Sequence, residues 1–141
     1  MFLERSLMPE RTLLIIKPDA VARKVIGQII HLVEDAGYTI VNIKLLTLTK
    51  EEAESFYSIH RGKPFFEPLI NFMISGPCVP VVVEGTDVIQ GMRTLVGATD
   101  PNDAAEGSIR KAFATDGRRN AVHASDSPES AAGEIAFFFS H

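Results

Sequence analysis

The stretch Asn120-Ala121-Val122-His123-Ala124-Ser125-Asp126-Ser127 decides the carboxyl-terminal part of the fold. Asn120 to His123 is predicted to be a short strand, and Ser127 with Pro128 is predicted to cap and open a last helix that extends to about Phe138. The stretch also sets one imidazole between an amide and a hydroxyl-carboxylate-hydroxyl run. A neutral imidazole is a competent nucleophile near neutral pH, so this side chain can carry a transferred group covalently.

Cationic and amide side chains accompany His123. Lys17 directly follows the apolar run Leu13-Leu14-Ile15-Ile16, and further donors precede the histidine in the chain. A lone histidine is more often a packed residue than a functional one, but several cationic donors around a nucleophile suit an anionic substrate, with phosphate the leading candidate. The donors ahead of the histidine are Arg93, Thr99, Arg110, Arg118, Arg119 and Asn120.

Hydrophobic periodicity predicts the amino-terminal elements. Thr12 to Lys17 is a nearly continuous apolar run, typical of a central strand buried on both faces. Helical spacing then extends from Ile26 to Val33, with Gly37 where a C-terminal cap belongs. After Gly37 apolar and polar residues alternate, which predicts a half-buried strand to about residue 48. Its apolar residues are Val41, Ile43 and Leu45.

Capping signals and breakers divide the middle of the chain. Thr49 and Glu52 match a capping box, which predicts a helix from Lys50 to about Ile59. Pro64 can open a further helix that carries several large apolar residues. Pro80 lies in the strand-like run 78–83 and indicates either an edge strand or a bulge near its start. Residues 87–96 are predicted to be helical, and 97–119 show no lasting period, as in a long functional loop.

Two β-α-β halves in this order predict a ferredoxin-like α/β sandwich of βαββαβ topology. Its four-stranded antiparallel sheet is expected to carry helices on one face. Residues 1–10 are predicted to be an amino-terminal tail, and 11–141 a single domain.

Composition agrees with one domain and limits the classes of partner. A chain of 141 residues with 45% hydrophobic content can bury a sizeable core. The formal charge of −4 gives no general attraction to nucleic acid or acidic membranes. Cys78 is the single cysteine, so no internal disulfide can form. Without a signal-peptide pattern or a membrane-spanning apolar stretch, the chain is expected to be cytoplasmic and free of membranes.

Four motifs in one order carry a resemblance to a known family. They are Ile16-Lys17-Pro18-Asp19-Ala20, Lys63-Pro64-Phe65-Phe66, Gly97-Ala98-Thr99-Asp100-Pro101 and the stretch from Asn120 to Ser127. Together they closely resemble the nucleoside diphosphate kinase family, in register over about residues 11 to 139. The resemblance implies the same ferredoxin-like fold.

By this resemblance, His123 takes the terminal phosphate of a nucleoside triphosphate such as ATP or GTP and delivers it to a nucleoside diphosphate in a ping-pong reaction. Arg93, Thr99 and Arg110 match phosphate-binding positions. Lys17 and Asn120 match residues that bind the ribose hydroxyls and orient the triphosphate. Tyr57 matches a phenol near the histidine, although its pattern alone is that of a core aromatic residue.

Two further sets of positions follow from the resemblance. Glu134 is expected to orient the histidine through the hydroxyl of Ser125, whereas its sequence context alone favours an exposed helical glutamate. Phe65 matches the ring that stacks on the base, with Leu69 one turn further along, so purines and pyrimidines should both be accepted. Phe66, Phe72 and Met73 are expected to be core residues.

The implied substrate brings a metal ion. Mg²⁺ bridges nucleotide phosphates and keeps several waters, so no direct protein ligand is expected. Asp126 is either its contact through water or a cap of the following helix. The resemblance also implies a homo-oligomer, a hexamer being favoured over a tetramer.

Two departures from the family pattern stand out. Ala124 replaces the usual glycine, so the backbone beside His123 must avoid a positive φ or accept strain. Gly117 stands where a side chain often touches the base.

Two other functions compete with this one. One is a non-catalytic module for nucleotide sensing or nucleic-acid binding, which would not need His123. The other is a hydrolase that uses Ser125 or Ser127, which lacks a Gly-x-Ser-x-Gly elbow.

Overall fold

The computed structural model describes residues 9–140. The central strand is β1 (Glu10–Ile16), which begins one residue inside the predicted tail; residues 1–8 of that tail lie outside the described residues. The following elements are α1 (Pro18–Ala22), α2 (Ile26–Asp35), β2 (Thr39–Ile43), α3 (Lys50–Phe56), a 3₁₀ turn (Ser58–His60), α4 (Phe66–Met73), β3 (Val79–Gly85), α5 (Val88–Val96), α6 (Ile109–Phe113), β4 (Val122–Ala124) and α7 (Pro128–Phe139).

The described strands form one antiparallel sheet in the order β2-β3-β1-β4. Strand β1 pairs with β3 along its whole length, from Glu10 opposite Gly85 to Ile16 opposite Val79. On its other side β1 pairs with β4, which places His123 opposite Ile15. The four-stranded ferredoxin-like prediction is therefore confirmed.

Helices cover both faces of the sheet, so the prediction of one covered face is wrong. Leu14 and Ile16 face a core built with α2 and α5, the helices of the two β-α-β units. Leu13 and Ile15 face a second core built with α3, α4 and α7. The additional layer exists because α3 and α4 are inserted between β2 and β3, and α7 returns over the sheet after β4. Strand β1 is consequently buried on both sides, as its apolar run predicts.

The predicted face of β2 is wrong. The strand ends at Ile43 instead of near residue 48, and only Ile40 packs against the core. The three residues predicted to be half-buried are 38%, 45% and 63% exposed; they are Val41, Ile43 and Leu45. The register shifts between Ile40 and Asn42, and such a bulge interrupts the alternation on which the prediction rested. The strand also lies at the edge of the sheet.

Pro80 lies in an inner strand, so its interpretation as an edge-strand residue is wrong. Its carbonyl accepts a hydrogen bond from the Lys44 amide at 3.2 Å, just beyond the end of β2 at Ile43. Because the N–H and C=O of a residue in an antiparallel strand point to the same side, the missing N–H of Pro80 faces the place where the neighbouring strand stops. The bulge is in β2, not beside Pro80.

The predicted caps are largely confirmed. The Thr49 hydroxyl accepts from the Glu52 amide at 3.1 Å and the Glu52 carboxylate accepts from the Thr49 amide at 2.9 Å, which completes the capping box of α3. That helix ends at Phe56, earlier than predicted. The short helices α1 and α6 were not predicted; α6 lies inside the long segment without periodicity. None of the helices within residues 9–140 is long and apolar enough to cross a membrane.

Candidate active site

His123 lies in β4 with its ring held by the last helix. Its Nε2 is 2.8 Å from Glu134 Oε1 in α7. Because a carboxylate only accepts hydrogen bonds, this contact requires a proton on Nε2. In the neutral imidazole the lone pair is then on Nδ1, which is the nitrogen that can act as a nucleophile.

Ser125 forms a hydrogen bond with the same carboxylate. Its hydroxyl donates to Glu134 Oε1 at 2.7 Å, and its backbone amide donates to the Leu13 carbonyl at 3.1 Å in the central strand. The Ser125 side chain is fully buried. Glu134 thus bonds the serine as the resemblance implies, but it also contacts His123 directly, which the sequence did not indicate.

Aromatic rings surround the imidazole. Phe56 packs edge-to-face on His123 with ring centroids 5.6 Å apart, and Tyr57 lies 6.3 Å away in a similar geometry. Burial raises the pKa of the Tyr57 phenol, so it stays protonated and uncharged. His60 lies between Tyr57 and Phe65, and its buried Nδ1 has no hydrogen-bond partner among the described residues.

Sequence reasoning missed Phe56 and His60. Both line the cleft that contains His123, which has a volume of about 210 Å³. Phe56 has the pattern of an ordinary core aromatic, and a single histidine beside a helix end carries no distinctive spacing. Only their proximity to Tyr57 in sequence was a usable signal.

Two arginines line the same cleft. Arg110, which is 7% exposed, donates to the carbonyls of Val122 at 2.9 Å, Gly97 at 3.1 Å and Asn120 at 3.4 Å. A guanidinium has five N–H groups, so two remain for a substrate. Burial, with a smaller contribution from the charge of Arg93, lowers the pKa of Arg110 to about 10, which still leaves it charged at neutral pH. Arg93 donates to the Ala124 carbonyl at 3.1 Å.

Lys17 and Asn120 form a second group of donors. Lys17 Nζ donates to Asn120 Oδ1 at 2.8 Å and to the Arg118 carbonyl at 3.1 Å. Burial and the charge of Arg110 lower the pKa of Lys17 to about 8. The ammonium is therefore mostly charged at neutral pH, and an anion placed beside it would favour its charged form.

A second cavity, of about 310 Å³, opens beside these donors. It is lined by Lys17, Phe65, Leu69, Gly117 and Arg118. Phe65 is 43% exposed although it is a large aromatic residue, so its ring is available to a ligand. The other large apolar residues of this region behave as predicted: Phe66 and Met73 are buried, and Phe72 is partly buried beneath Lys17.

Two predicted residues are placed differently from the rest. Thr99 is exposed and reaches the site through its carbonyl oxygen, which accepts from Asn120 Nδ2 at 3.3 Å. Ala124 lies in β4 and is not among the residues with positive φ, so the alanine beside His123 is accommodated without strain.

Asp126 is exposed at the edge of the cleft with Arg93 and His123. It does not cap α7, because the Ser127 hydroxyl accepts from the Ser130 amide at 3.1 Å in that role. Asp126 instead accepts from the Ser130 hydroxyl at 2.8 Å, and this contact lowers its pKa, so the carboxylate is charged. Within residues 9–140 no cluster of three or more acidic, histidine or cysteine side chains could hold a metal ion by itself.

The arrangement combines an imidazole, cationic donors and an exposed ring. His123 lines a cleft with two arginines, while Lys17 and Phe65 line the second cavity and Lys17 donates to Asn120. A phosphate ester attached to a planar ring is the ligand class that suits both parts.

Comparison with known proteins agrees with this chemistry. The family model described as nucleoside diphosphate kinase matches residues 10–141. The chain is 55% identical to the nucleoside diphosphate kinase of Desulfatibacillum aliphaticivorans over 92% of this chain and 94% of the relative. It is 56% identical to that of Leptothrix cholodnii, over 92% of both chains.

Solved structures show the same likeness. The nucleoside diphosphate kinase of Aquifex aeolicus superposes with a TM-score of 0.91 at 47% identity, over 93% of this chain and 95% of that one. That of Halobacterium salinarum, solved in complex with CDP, gives a TM-score of 0.90 at 40% identity, over 94% and 88%. The chain belongs to the nucleoside diphosphate kinase family.

Proposed function

We propose that this enzyme transfers the terminal phosphate of a nucleoside triphosphate to a nucleoside diphosphate through a phosphohistidine on His123. The hydrogen bond between His123 Nε2 and Glu134, in a cleft lined by Arg93 and Arg110, is the observation that carries the proposal. The hydrogen bond leaves Nδ1 as the attacking nitrogen, and the two arginines can neutralise the phosphate that it attacks. The relatives reported above all bear the name of the enzyme, so the non-catalytic alternative finds no support.

The reaction has two displacements at one site. In the first, the Nδ1 lone pair attacks the γ-phosphorus, the bond to the β–γ bridging oxygen breaks, and the diphosphate leaves with that electron pair. In the second, a terminal phosphate oxygen of a different diphosphate attacks the phosphohistidine, and the P–N electron pair returns to Nδ1. Glu134 stabilises the positive charge that develops on the ring when Nδ1 forms its bond.

The donors around the nucleophile supply positioning and charge neutralisation, which phosphoryl transfer mainly requires. Arg110 is held by three backbone carbonyls, so its two free N–H groups are presented in a fixed geometry. Arg93 adds a second guanidinium to the cleft. We assign Lys17 and Asn120 to the ribose hydroxyls and the triphosphate, and Thr99 to a phosphate contact. Tyr57 and Ser125 act near the imidazole.

A divalent cation accompanies the nucleotide, and we propose Mg²⁺. It would supply charge neutralisation on the phosphate oxygens and restrict their geometry. The residues present fit an ion that arrives with its nucleotide: the exposed, charged carboxylate of Asp126 stands at the cleft, and residues 9–140 form no ligand cage. Asp126 would hold a water of the hydrated ion.

Base selection is expected to be weak. The ring of Phe65 offers a stacking surface with Leu69 beside it, and Gly117 contributes no side chain to the cavity. Stacking is available to every base, whereas discrimination by orders of magnitude needs buried polar groups that one base satisfies. Purine and pyrimidine nucleotides should therefore both be substrates.

We also propose that the enzyme is a cytoplasmic homo-oligomer, a hexamer in preference to a tetramer. The exposed apolar residues in and just after β2 support association, since an uncovered sheet edge of this kind is normally protected. These residues, Val41, Ile43 and Leu45, suit a second copy of the chain. Light scattering on the purified protein separates the assemblies by mass, and a monomer at working concentration would contradict the proposal.

Steady-state kinetics test the function. ATP and a second diphosphate such as CDP should give parallel lines in double-reciprocal plots, because the first product leaves before the second substrate binds. Intersecting lines would indicate direct transfer in a ternary complex. The absence of any transfer would contradict the enzymatic assignment altogether.

A further inference from the structure

A strained turn separates the two halves of the site. Ala121 is fully buried and has a φ of 74°, a backbone conformation that alanine rarely adopts. The Val122 amide donates to the Asn120 carbonyl at 2.8 Å, which closes a γ-turn around Ala121. Such strain persists only where the surrounding structure holds it.

The segment that follows β1 holds this turn. The Lys17 amide donates to the Ala121 carbonyl at 2.8 Å, and the Ala121 amide donates to Asp19 Oδ2 at 3.1 Å. Oδ1 of the same carboxylate is buried and has no partner among the described residues. Burying an unpaired carboxylate oxygen is unfavourable. The hydrogen bond from the Ala121 amide to Oδ2 is therefore the main contact that offsets the burial of the Asp19 carboxylate.

The turn fixes the relative positions of site residues that precede and follow Ala121 in the chain. Asn120, before it, accepts from Lys17 Nζ, and His123, after it, carries the nucleophile. The carbonyls of Asn120 and Val122, which flank Ala121, both accept from Arg110. A relaxation of Ala121 towards negative φ would therefore move the sugar-side amide, the arginine and the imidazole relative to one another.

We propose that Asp19 is a positioning residue for phosphoryl transfer, because its carboxylate holds Ala121 in the turn that aligns Asn120, Arg110 and His123. The inference rests on the proposed role of His123. It assigns to Asp19 an effect on the rate of the chemical step and not on recognition of the base, since Phe65 and Leu69 belong to a separate element. A displacement of about 1 Å in such an alignment can lower a rate by roughly a hundredfold.

A simpler reading is that Asp19 merely stabilises α1, in whose first turn it lies. The two readings differ at Ala121. Glycine adopts positive φ without steric cost, so Ala121→Gly should reduce the need for the carboxylate. It should have no effect on a defect that originates in α1.

The experiment measures phosphoenzyme formation in single turnovers with labelled ATP and Mg²⁺, alongside ADP affinity and thermal stability. We expect Asp19→Ala to lower the rate about ten- to hundredfold and to change ADP affinity much less. Asp19→Asn, which keeps an oxygen acceptor, should fall between it and the wild type. Asp35→Asn, an exposed aspartate at the end of α2, is the matched control and should match the wild type.

The double variant Asp19→Ala with Ala121→Gly should regain a large part of the lost rate. Asp19→Asn serves as the second variant if Asp19→Ala does not fold, because asparagine keeps the shape of the side chain. In the Asp19→Asn protein the NMR signal of the Ala121 amide should shift and its hydrogen exchange should accelerate. A wild-type rate in both Asp19 variants, or no recovery on adding Ala121→Gly, would overturn the proposal. A wild-type enzyme that forms no phosphohistidine would instead overturn the proposed function.

Discussion

Replacing Glu134 with glutamine tests how much a charged partner contributes to the nucleophile. The carboxylate accepts from His123 Nε2 at 2.8 Å and from Ser125 Oγ at 2.7 Å, and the histidine and glutamate side chains are only 23% and 22% exposed. Glutamine keeps the volume and one oxygen acceptor but removes the charge. A hydrogen bond to a charged group contributes about 1.5–3 kcal/mol and a neutral one about 0.5–1.5 kcal/mol.

The difference gives the expected magnitude. Loss of about 1–1.5 kcal/mol of transition-state stabilisation corresponds to a roughly five- to thirteenfold slower phosphorylation of His123. Glu134→Ala removes the hydrogen bond as well and should be slower than the glutamine variant. The affinity for ADP should not weaken in either, because Glu134 does not line the cavity of Phe65 and Lys17.

Rapid-quench single turnovers with labelled ATP provide the assay. Glu129→Gln, in the exposed first turn of the same helix, is the matched control and should react at the wild-type rate. A Glu134→Gln enzyme as fast as wild type, or one impaired only in nucleotide binding, would show that the carboxylate does not act on the imidazole.

Three further predictions concern the donors and the base. Arg93→Ala and Arg110→Ala should each lower kcat/KM at least about tenfold, and lysine at either position should restore only part of it because an ammonium lacks the two-pronged geometry; steady-state assays of all four variants decide this. Burial lowers the pKa of Lys17 to about 8, so its charge is present below that pH and is lost above it. In a pH series, KM for ATP should therefore rise as the pH exceeds 8, and a Lys17→Arg enzyme should lack this rise. Because the exposed ring of Phe65 offers a stacking surface that every base can use, kcat/KM for ADP, GDP, CDP and UDP should agree within about a hundredfold, and a thousandfold base preference would refute this placement. A 3′-deoxy acceptor should be impaired far more than a 2′-deoxy one, because Lys17 and Asn120 are assigned to that end of the sugar.

Local signals predicted the parts of the fold that local physics determines. The capping box at Thr49 and the Ser127-Pro128 helix start are set by side-chain to backbone hydrogen bonds a few residues apart, and both are found. The apolar run of β1 likewise depends only on burial. The exposed face of β2 was not predictable in this way, because a bulge at Val41 breaks the alternation and the position of the strand at an edge depends on the whole sheet.

The candidate site divides along the same line. Motif register predicted His123, Lys17 and Arg110 as site residues, and the structure places each of them in the lining of one of the two cavities. The hydrogen bond from the Ala121 amide to Asp19 joins residues 102 positions apart in sequence, and no sequence periodicity indicates it. The direct bond of Glu134 to the imidazole was missed for a related reason: the rotation of a helix over a strand is decided by packing.

Isolation of the phosphoenzyme tests the central claim most directly. The wild-type protein, incubated with γ-labelled ATP and Mg²⁺ and separated from nucleotide, should retain about one label per chain that is acid-labile and alkali-stable. Adding GDP should discharge that label into GTP. His123→Ala should bind ADP but retain no label and show less than about a hundredth of wild-type turnover. Label of the same stability on His123→Ala, or efficient transfer by that variant, would contradict the assignment of His123 as the carrier.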